Sequence, residues 1–146
     1  MNNKGNDLKH FGKVMNVLTK YKTFMSKADY DIIDECVKLW FIGLDGNNIK
    51  FIDNPTYKMR IDAIKNNPES LMWINEPTEE MVFGAINISP VCIQLSNKLY
   101  INCVYRVLEI DKGLISVIED MASTYKNRNK DNFKILDKIM KDFKYC

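Results

Sequence analysis

From Leu8 to Phe24 the apolar residues Leu8, Phe11, Val14, Met15, Leu18 and Tyr21 recur at steps of three and four, the spacing that gathers side chains on one face of an α-helix. The pattern predicts a helix of about four turns whose other face carries Lys9, Lys13, Asn16 and Lys20. Ser26 or Asp29 can cap the next helix by accepting hydrogen bonds from its free backbone amides. The acids Asp29, Asp31, Asp34 and Glu35 suit the positive end of that helix. It is expected from Tyr30 to about Leu44, ending at Asp45-Gly46-Asn47-Asn48, where glycine can take the left-handed conformation that stops a helix.

The pattern then repeats. Ile52-Asp53-Asn54-Pro55-Thr56-Tyr57-Lys58-Met59 is answered by Ile74-Asn75-Glu76-Pro77-Thr78-Glu79-Glu80-Met81, and Ala63-Ile64 with Pro68 by Ala85-Ile86 with Pro90. Every offset is 22, and seven of the 22 paired positions are identical. Such self-similarity at a fixed period marks stacked helical units. In each unit Asn54 (or Asp53) is expected to cap, Pro55 to occupy the first helical position, and a helix of about three turns to run to Asn66. Pro68 then opens a shorter helix carrying Leu71, Trp73 and Ile74. Val37, Leu39, Ile42, Ile49, Phe51 and Ile52 form a degenerate earlier copy, with Gly46 standing where later copies place proline.

Beyond Leu95 the register weakens, although Cys103, Val107, Leu108, Ile115 and Val117 fit a fourth, worn unit. The stretch 99–109 reads as helix, with a short strand as the alternative because Tyr, Ile and Val favour strands. Leu114 to Tyr125 reads as a helix, Lys126 to Lys130 as a basic linker, and Asp131 to Phe143 as a last helix with Phe133, Leu136, Met140 and Phe143 on one face. The fold expected is all-α: a small, solenoid-like helical-repeat domain over 1–146. Residues 1–29 form an N-terminal capping helix, 30–95 three helical-hairpin units, and 96–146 a degenerate unit with a C-terminal capping helix. Met59, Ile61, Ile64, Leu71, Trp73, Met81, Phe83, Ile86 and Ile93 are the expected core.

Comparison between copies also sorts core from surface. Positions 51, 73 and 95 hold Phe, Trp and Leu, which assigns Trp73 to the core. Trp40 is matched by Asp62 and Gly84, and Val82 by Arg60 and Lys38, so both are expected to face outward. An exposed tryptophan is a frequent interface anchor, which makes Trp40 and Val82 the candidate partner-binding residues.

The pattern Ile-Asn-Glu-Pro-Thr-Glu-Glu-Met followed by Ala-Ile-x-x-x-Pro resembles the short two-helix repeats of unassigned function in proteins of large DNA viruses and tailed phages, over about residues 36–95. The chain as a whole, small and rich in Asn, Lys and Ile, is similar to accessory early proteins of T-even-type bacteriophages. The resemblance implies a helical-repeat fold and a role in modulating a host machine, a host defence or messenger RNA metabolism. It assigns no activity to the repeat.

Composition narrows the chemistry. The 146 residues are 46% hydrophobic and 27% charged, as in ordinary soluble globular proteins, and no apolar run approaches the roughly 18 residues of a membrane span. A cytoplasmic protein is expected, in the host cytoplasm if the origin is viral. The net charge of +2 is unevenly spread, with six lysines against Asp7 in residues 1–27, eight basic against fifteen acidic groups in 28–120, and seven basic against three acidic in 121–146. Basic termini packed against an acidic middle explain this. An RNA-associated alternative would use Lys9, Lys13 and Lys20 with Lys126, Arg128 and Lys130 on phosphates and Tyr125 on a base.

Cys36, Cys92, Cys103 and Cys146 lie too far apart for a paired-knuckle zinc site, and His10 is the only histidine. Buried reduced thiols and no metal or other cofactor are expected. No nucleophile–base pair and no Gly-rich phosphate loop is visible. The chain therefore reads as non-enzymatic, with a host protein as its partner and RNA as the alternative.

Overall fold

The computed structural model describes residues 3–125 and 130–145. Among them the regular structure is helical throughout, as the sequence predicts: α1 Lys4–Tyr21, α2 Lys27–Leu44, α3 Tyr57–Asn66, α4 Glu79–Ile88, α5 Ile101–Ile110, α6 Ile115–Tyr125 and α7 Lys130–Tyr145, with short 3-10 helices between most of them. The stretch at 99–109 is helix and not strand. The chain divides into two compact units, Met1–Trp73 and Ile74–Cys146.

Element boundaries keep the 22-residue spacing. The helices starting at Tyr57, Glu79 and Ile101 are matched by 3-10 helices starting at Gly46, Pro68, Pro90 and Lys112. The start of each helix differs from the sequence reading. Thr56 and Thr78, not Asn54 or Asp53, are the caps, accepting hydrogen bonds from the amides of Met59 at 3.2 Å and Met81 at 3.3 Å. Pro55 therefore lies before the helix. Asn54 and Glu76 instead hold the left-handed conformation, at φ 50° and 51°, that turns the chain into each cap.

Each α-helix in the series ends on an extended residue, Asp45, Asn67, Ser89 or Asp111. At three of these ends the side chain also starts the following 3-10 helix. Asp45, Asn67 and Asp111 accept from the amides of Asn47 (3.0 Å), Glu69 (3.1 Å) and Gly113 (2.9 Å). One short polar residue thus stops one helix and opens the next. Gly46 does not stop α2 by a left-handed turn, since no glycine has positive φ. Its role is close approach: an added Cβ would lie 2.2 Å from the Ala63 carbonyl oxygen.

In the first unit, Phe11 of α1 stacks on Phe41 of α2 at 4.1 Å, and Phe41, Ile42, Ile49, Met59, Ala63, Ile64 and Leu71 are buried around them. Asn66 joins α3 to the end of α2, accepting from the Gly46 amide at 2.7 Å and donating to the Gly43 carbonyl at 3.0 Å. Lys4 forms a 2.7 Å ion pair with Asp45. Burial pushes the Asp45 carboxyl upward, but its hydrogen bonds from Lys4, the Asn47 amide and Asn67 outweigh that and hold it below its ordinary value.

In the second unit, Met81, Ala85, Ile86, Ile93, Cys103, Val104, Val107, Leu108 and Ile118 form the core, and α7 packs on α5 and α6 through Leu136, Ile139 and Met140. The expected core needs three corrections. Trp73 is 43% exposed and Phe83 38%, while Ile61 is half-buried. In the 3-10 helix Pro68–Trp73 of the first unit, Leu71 is buried, and Trp73, two residues on at three residues per turn, points away from that face.

Candidate functional site

An extended apolar concavity on the first unit lies between α1 and α2. Helix α1 offers His10, Val14 and Val17 to it, and α2 offers Ile33, Val37 and Trp40. Two adjoining hollows of about 370 and 350 Å³ share Val14, Ile33 and Val37. The sequence produces this geometry simply. Phe11 and Leu18 turn into the core, so Val14 and Val17, displaced around the helix by their spacing, face the groove. On α2 the buried pair Phe41 and Ile42 leaves Ile33, Cys36 and Trp40 on the other side.

Trp40 is 44% exposed, and its ring meets His10 edge to face at 5.9 Å. The N-terminal helix thus touches the tryptophan without covering it, in keeping with the outward placement read from Asp62 and Gly84. Val82 is a correction, because its side chain is fully buried in α4. Its counterparts Lys38 and Arg60 are half-buried. Their long stems run along apolar surface and carry the charge out, Lys38 to Asp34 at 2.6 Å and Arg60 to the Pro55 carbonyl at 3.2 Å. A charged counterpart therefore did not mean an exposed position.

Lys9, Lys13 and Lys20 are exposed on α1, and Lys13 lines the groove. Lys126 and Arg128, and the side chains of Tyr125 and Lys130, lie outside the described residues. A second exposed apolar group escaped the sequence reading: Phe51 and Trp73, each 43% exposed, share the Lys50 ammonium, 5.0 Å from each ring. The 22-residue match between 51 and 73 could have found it, had shared apolarity not been equated with burial.

Among the described residues no three His, Cys, Asp or Glu side chains are grouped to hold a metal ion, and no helix is long and apolar enough to cross a membrane. The cysteines differ from expectation at Cys36, which is exposed, whereas Cys92 and Cys103 are buried. Burial, with the Glu79 charge adding, pushes the Cys103 thiol up to about 12. A brief maleimide pulse on the native protein at about pH 8 should therefore modify Cys36 at least roughly 100-fold faster than Cys103, read by peptide mass mapping. Equal labelling would show that the second-unit core opens on that timescale.

His10 and Cys36 both line the groove, but most of what it offers is apolar surface next to a half-exposed indole. Comparison with family models, with curated proteins and with solved structures found no match for this chain.

Proposed function

We propose that this chain is a non-enzymatic binding protein that docks on a partner protein through the α1–α2 groove, with Trp40 as its anchor. The observation that supports this reading is the groove itself, apolar along its lining and edged by an indole that the fold leaves half in water. Apolar surface gains roughly 25 cal/mol per Å² on leaving water, and a tryptophan at the centre of an interface is worth about 2 kcal/mol or more. The resemblance of the repeat to those of large DNA viruses and tailed phages makes the partner a host protein and the role host modulation, by takeover of a machine or evasion of a defence.

Two measurements test the reading. Trp40→Ala should lower stability by no more than about 1.5 kcal/mol, against about 3–5 kcal/mol for truncating a fully buried aromatic, as read by urea denaturation. A photoreactive amino acid at Ile33, which is 39% exposed in the groove, should capture a discrete protein in bacterial lysate. The adduct should survive nuclease, disappear when Trp40→Ala is added, and not form from Lys65 on α3. Adducts that vanish with nuclease would move the function to RNA. Capture that ignores both position and Trp40 would overturn the docking site.

A further inference from the structure

We infer that the groove takes an amphipathic helix of about three turns from the partner, carrying carboxylates along the flank that meets α1; this rests on the docking reading above. The shape comes first. A trough between two packed helices accepts a third whose apolar side chains recur at i, i+3 or i+4, and i+7. From His10 to Leu18 the α1 wall runs about 12 Å at 1.5 Å per residue, a little over two turns, which a three-turn helix spans with its ends free.

Charge sets the sign of the flank. Lys9, Lys13 and Lys20 fall on the α1 side, next to Val17 at helical spacing. None has an ion pair among the described residues. Of the acids of α2, Asp34 is paired with Lys38 at 2.6 Å and Asp31 stands 4.0 Å from Lys27, while Glu35 is half-buried. Asp29 sits at the N-terminal end of α2, hydrogen-bonded to the Ser26 hydroxyl at 2.7 Å. The α2 rim instead carries Ile32, 61% exposed, and Cys36. The α1 wall of the trough is thus cationic, and a ligand helix with acids on the flank that meets it is complementary to that wall.

The test is a display library of 18-residue helices with a fixed apolar stripe and randomised flanks, selected on the immobilised full chain. Retained peptides should be enriched in Asp and Glu on one flank. They should bind Trp40→Ala at least tenfold more weakly. The preference should reverse toward Lys and Arg on the Lys9→Glu, Lys13→Glu, Lys20→Glu triple variant, whose melting temperature should match that of the parent. Salt should weaken the acidic preference, since exposed charges are screened within about 10 Å at 0.1 M. No enrichment over scrambled stripes, flanks without charge preference, or concentration-dependent self-association that blocks the groove would each overturn the inference. If the Ile33 adduct still forms under any of these outcomes, the docking site stands and only its ligand class falls.

Discussion

Gly46→Ala should destabilise the first unit by about 3 kcal/mol or more, lowering its melting temperature by roughly 10 °C. The added methyl would lie 2.2 Å from the Ala63 carbonyl oxygen and 3.0 Å from both the Ala63 carbonyl carbon and the Asn67 nitrogen. These are backbone atoms already in use: the Ala63 oxygen accepts from the Asn67 amide at 2.8 Å, and the Gly46 amide donates to Asn66 at 2.7 Å. Neither chain can retreat without losing a buried hydrogen bond, a loss of about 1–3 kcal/mol by itself. Gly84→Ala is the control. Nothing lies within 4 Å of a methyl there, and replacing glycine in a helix interior gains about 0.5–1 kcal/mol. Thermal melts of the two variants should move in opposite directions, and a Gly46→Ala protein that melts with the parent would show that the α2–α3 crossing is not as described.

The element series was readable in the sequence because it is set by local rules. Apolar spacing placed α1 to α7 within a few residues, and the written repeat at 52 and 74 set the period that the helices keep through Ile101. Ser26 was readable as a cap because its hydroxyl, 3.1 Å from the Asp29 amide, does what serine does at helix starts. The threonine caps lie two residues beyond Asn54 and Glu76, and were not legible because a polar residue followed by proline also fits a helix start. The double role of Asp45, Asn67 and Asp111 was equally legible at its 22-residue spacing, but it needs the 3-10 helix in view to be recognised.

Burial was the weaker inference, for a physical reason. Likeness between copies reports what a position tolerates and not where it points. Phe51 and Trp73 are both apolar, yet both lie half in water under one lysine. Trp40 was placed correctly because Asp62 is too short to carry a charge out of a core, an argument that Lys38 and Arg60 do not support. The groove beside Trp40 was not legible at all, since it depends on the angle at which α1 lies on α2.

Val82→Asp carries this distinction to its measurable end, and it should cost on the order of 4 kcal/mol or more, enough to unfold the second unit or leave it marginal. Val82 is fully buried in α4 beside Met81, Ala85 and Ile86. A carboxylate on so short a side chain cannot reach water, so it must either lose its solvation or bind a proton. Folding would then favour the protonated acid and raise its pKa above the unfolded value. The sign follows: the deficit should be smallest in acid and grow as pH rises through the ordinary carboxylate range, where the unfolded chain ionises and the folded one resists. Val82→Arg should cost less, about 1–3 kcal/mol of overpacking, because its stem is long enough to carry the head outward as Arg60 does. Urea denaturation at two pH values should rank Asp as worse than Arg and show a pH dependence for Asp alone. An aspartate variant as stable as the parent at neutral pH would return Val82 to the surface and restore it as a candidate contact for the partner.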